Sequence, residues 1–270
     1  MDRFSRRRRR STHSQIVLEL QPSVLVDIVP GRQLEYRPRL ALRGLSLIVG
    51  PYRSGDEHEQ HYLDTTGSGA WHAPEDDELR FGKGDRILRS AWLHIPEAHL
   101  SAPNVLAPWV IAAREVGLLR LAGAPPNQLD LAYRRILDTR DEALGCVTDL
   151  ALHVGQERLG LTIAEDVDLL FANGQACGWL LRHPQRYLSD GWQEPPAPPS
   201  EESQLAALLA DYLELISQKN MAALEAADPE MHASLRALKN RAAHIPASPQ
   251  RDALLAAIDA QIDLFFADLR

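Results

Sequence analysis

The sequence predicts an α+β protein, in which a mostly antiparallel β domain precedes a C-terminal helical segment. Three observations carry this. The stretch DVDLLFANGQACGWLL (166–181) sets Asn173-Gly174 between two apolar runs. That is the strongest short-range hairpin signal, because both central residues of a type I′ turn need positive φ. The stretch QEPPAPPS (193–200) places four prolines where neither a helix nor a central strand continues. Beyond it the chain is rich in Ala and Leu, has no glycine, and repeats apolar residues at spacings of three and four.

These signals divide the chain into a disordered basic leader (1–13), a β-rich domain (14–192), a proline-rich linker (193–200) and a helical segment (201–270). In the leader, residues 6–10 are all Arg. Like charges with nothing apolar between them predict a solvated arm. The following stretch STHSQIVLELQPSVLVDIVPG is interrupted by Glu19, Gln21, Pro22 and Asp27, so it lacks the apolar core of a secretory signal. No stretch is long and apolar enough for a membrane span.

Within the β domain, IVLELQPSVLVDIVPG and RLALRGLSLIVGPY alternate as strands do. DELRFGKGDRILRSAWLHIPEAHL (77–100) predicts a hairpin bending at Gly82 and Gly84. WVIAAREVGLLRLAGAPPNQ (109–128) predicts strands breaking at Gly117 and Gly123. NQLDLAYRRILDTRDEALGCVTDLALHVG (127–155) predicts the one helix before the linker, with Leu129, Leu131, Ile136 and Leu137 apolar.

In the hairpin at 166–181, a two-residue loop sets Phe171 opposite Ala176, Leu169 opposite Gly178 and Asp168 opposite Trp179. Asp166 and Asp168 then share a face with Leu170, Cys177, Trp179 and Leu181. Acids at a strand's start are expected to meet water or cap a turn, since acid–base pairs need a pocket and a further partner. A duplicated hairpin unit is also suggested. Glu78, Phe81, Trp92 and Pro96 run in the same order as Asp168, Phe171, Trp179 and Pro184, with each Trp packing the core.

The tail predicts three amphipathic helices. The first starts at Ser200 and carries Leu205, Leu208, Leu209, Tyr212, Leu213 and Ile216 on one stripe. The second has Asp228 as cap and Pro229 at the first helical position, and the third uses Ser248 and Pro249 in the same way. Leu254, Leu255, Ile258, Ile262, Phe265 and Phe266 form the last stripe. Such stripes are buried in a core, in a homodimer seam or against a partner.

Chemical motifs are sparse. The 270 residues contain no GxGxxG, no GxxxxGK[ST], no GxSxG and no HExxH, so no cofactor is expected. Cys146 and Cys177 sit in apolar surroundings without metal or redox spacing, which predicts a reducing, cytoplasmic setting. The densest polar cluster is DEHEQHYLDTTGSGAWHAPEDDE (56–78). Its His58, His61, His72 and Asp76 are the candidate metal ligands, on a segment that Gly55, Gly67 and Gly69 mark as a loop. Ligand spacing is absent, so no metal is expected and the segment reads as a solvated loop.

The formal net charge of −8 disfavours a nucleic-acid partner. An acidic chain without catalytic motifs is expected to be a non-enzymatic, bacterial-type binding protein engaging a protein partner. A toxin neutralised by an immunity protein is one such partner. The rival readings are a metal-dependent hydrolase using His58, His61 and His72, and a scaffold dimerising through the helices.

Overall fold

A computed structural model of the chain describes residues 18–69, 76–100, 104–140, 142–196 and 202–267. The arginine leader lies outside the described residues. The first strands are β1 (Leu18–Gln21), β2 (Val24–Pro30), β3 (Arg39–Ala41) and β4 (Ser46–Val49). Helix α1 (Gly55–Asp64) leads into β5 (Thr65–Gly67), β6 (Glu78–Gly82) and β7 (Leu88–His94). A single-turn helix, α2 (Ala107–Val110), precedes β8 (Ala113–Leu121), β9 (Arg134–Asp138) and β10 (Ala143–Val147). After a 3-10 turn (Asp149–Leu152) come β11 (Arg158–Ala164), β12 (Val167–Ala172) and β13 (Gln175–Arg182). A second 3-10 turn (Pro184–Tyr187) leads to β14 (Leu188–Ser189) and to the helices α3 (Glu202–Leu215), α4 (Gln218–Glu225), α5 (Pro229–Ala243) and α6 (Pro249–Phe266).

The fold is α+β, and the strands form two sheets. In the first, β1-β2-β8-β11-β12-β13 close into a barrel through the β1–β13 pairing, and β10 and β9 extend it from the far half of β13. Closure is made where Glu19 N donates to Gly174 O at 2.9 Å. The second sheet runs β14-β3-β4-β7-β6-β5. The parallel strand pairings are β1–β13, β8–β11 and β3–β14; the others are antiparallel.

The Asn173-Gly174 turn forms as the sequence predicts, with φ of 50° and 82°, and Phe171 beside it is buried. The register beyond Phe171 differs from expectation. A bulge at Cys177 sets Leu170 opposite Gly178, Leu169 opposite Trp179 and Asp168 opposite Leu180. Trp179 and Leu181 therefore share the main core with Leu169 and Phe171, while Leu170, Cys177 and Leu180 join a smaller core on the other face. Gly178 makes this bulge. It has φ +143°, and a Cβ there would stand 2.2 Å from Cys146 O.

Three local expectations are corrected. The helix expected over 127–155 is instead β9, β10 and a 3-10 turn. Every residue of β10 is buried, and a short run buried on both faces has no periodicity to separate strand from helix. Gly117 does not break a strand but lies inside β8, where its missing Cβ lets Ile28 and Val29 of β2 approach. The polar segment expected as a loop carries α1: Ser54 accepts from Glu57 N at 3.2 Å, and Glu57 accepts from Arg53 N at 2.7 Å.

The tail forms four helices, because the first expected helix divides at Ser217 into α3 and α4. Asp228 and Ser248 cap α5 and α6 as expected, whereas Ser200 lies outside the described residues. The main core is continuous from Leu79 and Leu93 of the second sheet, through Leu119 and Trp179 of the barrel, to Leu209, Leu254 and Ile258 of the helices. Polar ties run the same way: Arg135 Nη2 donates to Leu213 O at 2.5 Å, and Gln218 N to Glu97 O at 3.0 Å.

Candidate functional site

The two histidines at i, i+3 on α1 point down onto one face of the second sheet. Strand register builds that face. Arg39, Ile48, Trp92 and Glu78 form one row, and Arg80 and Ser90 pair in the next. The opposite face carries Leu47, Leu79, Ala91 and Leu93 into the core. Polar residues thus occupy a sheet face covered by a helix, where apolar packing is the rule.

His58 Nε2 lies 2.9 Å from Glu78 Oε1, and His61 Nε2 lies 2.9 Å from Ser90 Oγ. The Tyr52 ring meets His58 edge-on at 4.6 Å, and Trp92 stands 5.0 Å from His58 and 5.9 Å from Trp192. Two guanidinium groups hold the surrounding backbone. Arg39 donates to the carbonyls of Gly50, Tyr52 and Trp192, and Arg80 to those of Tyr62, Thr65, Gly67 and Ser68. Glu78 is 1% exposed, and its Oε2 has no hydrogen-bond partner. Burial lowers the pKa of His61 and raises that of the Tyr52 phenol.

Of the candidate metal ligands, His58 and His61 are brought together but bind different partners. Asp76 lies apart, accepting from Gln128 Nε2 at 2.9 Å, and His72 is outside the described residues. Among the described residues, no group of three or more His, Cys, Asp and Glu side chains is arranged to hold a metal ion. Ser90, Tyr52 and the two arginines were not singled out by sequence reading, and Glu78 was noted only as the acid of the suggested repeat. The alternation Glu78-Leu79-Arg80-Phe81, charged on one face and apolar on the other, was the available signal.

Asp166 and Asp168 do not act as a pair. Asp166 has φ 56° and accepts from the Tyr187 hydroxyl at 2.8 Å. Asp168, expected to meet water, is 1% exposed and takes hydrogen bonds from Thr162 Oγ1 at 2.7 Å and Arg182 Nη2 at 2.5 Å. The two hairpins of the suggested repeat lie in different sheets. Both have an extra residue on the second strand, Arg89 and Cys177, opposite the step into the Phe, and a buried acid three residues ahead of that Phe. Their tryptophans do not correspond: Trp92 faces Glu78, whereas Trp179 faces Leu169.

Two further surfaces stand out. A cleft of about 290 Å³ lies where the end of β7, the lead-in to β9 and the start of α4 meet, lined by His94, Glu97, Asp130, Tyr133 and Gln218. Behind it, buried Asp77 accepts from His94 N at 2.7 Å and Leu131 N at 2.6 Å, and burial pushes its carboxyl up to about 7. The second surface is one end of the barrel. Trp109 Nε1 donates to Ala151 O at 3.0 Å, joining α2 to the 3-10 turn at 149–152. Ile111 and Val154, just beyond these two elements, are 84% and 97% exposed.

No known family, curated protein or solved structure matches the chain.

Proposed function

We propose that the chain is a non-enzymatic binding protein whose partner is another protein, met through the barrel end that carries Ile111 and Val154. The observation that carries this reading is the exposure of these two side chains beside half-buried Val105, Val110, Leu150 and Leu152. Large apolar groups clustered at one end of a fold favour a protein contact, because covering them removes apolar area from water. The histidines that would serve a hydrolase are engaged with Glu78 and Ser90, fastening α1.

The finer form of the reading is a toxin-neutralising immunity protein in the cytoplasm. Its support is the net charge of −8, suited to a basic partner, and two buried free thiols, suited to a reducing compartment. No helix among the described residues is long and apolar enough to cross a membrane.

Cross-linking capture from the native cell extract tests the proposal. A partner recovered with the wild type should be lost with Ile111→Glu plus Val154→Glu and kept with Leu264→Glu, a change at an exposed position on α6. An identical set of captured proteins for all three chains overturns the barrel-end assignment. Hydrolytic activity of the wild type that disappears in Ser90→Ala overturns the non-enzymatic one.

A further inference from the structure

Helix α1 is fastened in an unusual way. None of its ten residues is buried, so it contributes little apolar area to the fold. A ten-residue helix is marginal in water without such packing. What holds it is polar: His58 on Glu78, His61 on Ser90, and Arg80, whose Nη2 donates to Tyr62 O at 2.8 Å while its guanidinium sits 3.8 Å above the Tyr62 ring. Glycines flank the helix. Gly50 and Gly55 precede or begin it, and Gly67, with φ +142°, and Gly69 follow.

We propose that α1 is an acid-released flap, freed from the second sheet when His61 takes up a proton, so that the polar face carrying Glu78, Arg80, Ser90 and Trp92 is uncovered. Burial of His61 sets the direction; among the groups facing it, Glu78 and Asp64 oppose that direction and Arg80 and His58 add to it. Glu78 and Arg80 face it from β6, Ser90 from β7, Tyr52 from the loop after β4, and His58 and Asp64 from α1 itself. A proton on His61 adds a positive charge beside Arg80, with Arg39 already in the same layer. The buried carboxylate among these groups, Glu78, partly offsets that charge, with its Oε1 engaged by His58.

Burial holds the closed-state pKa of His61 below its ordinary value. The open state takes the proton near the ordinary histidine value of about 6.5. Closure is therefore favoured above that pH and weakens as pH falls below it, until the closed state also protonates. His61 is therefore the release group.

Hydrogen exchange with mass spectrometry on the full chain, corrected for intrinsic exchange at each pH, tests this. Between pH 7.5 and 5.5, protection of residues 55–64 should fall on the order of tenfold while the barrel strands stay protected. His61→Gln keeps a hydrogen-bonding group without a titrating one, and should remove most of that pH dependence. Unchanged protection of α1 in the wild type down to pH 5.5 overturns the proposal. So does simultaneous loss over the whole chain, or the same pH dependence in wild type and His61→Gln. The wild-type measurement decides the question even where the variant folds poorly.

Discussion

Asp168 and Arg182 form an ion pair inside the barrel wall, with Arg182 Nη2 2.5 Å from Asp168 Oδ2 and the two side chains 13% and 1% exposed. Thr162 Oγ1 holds the other carboxylate oxygen at 2.7 Å. Arg114 Nε adds a longer contact at 3.7 Å. Breaking such a pair leaves a desolvated charge without a partner. Asp168→Ala should lower unfolding free energy by about 3–5 kcal/mol, measured by denaturant titration. Replacing both partners by apolar residues should cost clearly less than Asp168→Ala alone, because no buried charge is then stranded.

The same hairpin makes a second prediction. Gly178 stands at φ +143° with Cys146 O where a Cβ would go, so both strain and contact oppose a side chain. Gly178→Ala should destabilise by more than the roughly 1–3 kcal/mol that backbone strain alone costs. Gly174→Val, at φ +82° in the turn, should destabilise through strain. Thermal melts of the two variants against wild type check both directions.

This hairpin also marks how far the sequence could be read. Asn173-Gly174 announces its turn through local backbone chemistry, and the prolines and caps of the tail are equally local. The bulge at Cys177 depends on the approach of β10, a partner more than thirty residues earlier, and no local pattern carries that. One extra residue left Asp168 on the face of Leu170 and Cys177 but moved Trp179 and Leu181 to the other. The α1 layer was hidden for a similar reason. His58 and His61 were noted, but Glu78 and Ser90 reach them only through strand register. The Ser54-x-x-Glu57 cap that starts α1 was a local signal the sequence reading did not use, because the neighbouring glycines marked the segment as a loop.

Asp77 gives a pH prediction opposite in sign to that of His61. Its carboxyl titrates at about 7 in the fold, because burial outweighs the two backbone hydrogen bonds it accepts. In the unfolded chain it titrates near about 4. The folded state then binds more protons between these values, so this group's contribution is full below about pH 4 and is lost as pH rises to about 7. The slope it adds is at most about 1.4 kcal/mol per pH unit. Asp77→Asn removes the titration and also replaces one acceptor by a donor facing a backbone N–H. The stability gap between wild type and Asp77→Asn, from urea titrations at several pH values, should shrink from pH 4 to pH 7.

The helical tail is the last test, and it concerns whether residues 1–196 form a domain of their own. Leu205, Leu209, Leu213, Leu254 and Ile258 lie in the same core as Trp179 and Leu93, and the backbone of α3 accepts from buried Arg135. Removing the helices would expose apolar strand residues and strip Arg135 of its carbonyl partner at once. Exposed apolar area is unfavourable at roughly 25 cal/mol per Å², and a stranded guanidinium adds its own cost. Truncation after residue 196 should therefore abolish the cooperative melt and yield particles larger than a monomer in light scattering. Leu209→Ala in the full chain, which empties a fully buried position, should cost about 2–5 kcal/mol while keeping the fold. A truncated chain that melts cooperatively as a monomer would mean the barrel and second sheet stand alone, with the helices only resting on them. The graded Leu209→Ala result then separates a shared core from a docked one, since a merely docked helix would leave the main unfolding transition where it was.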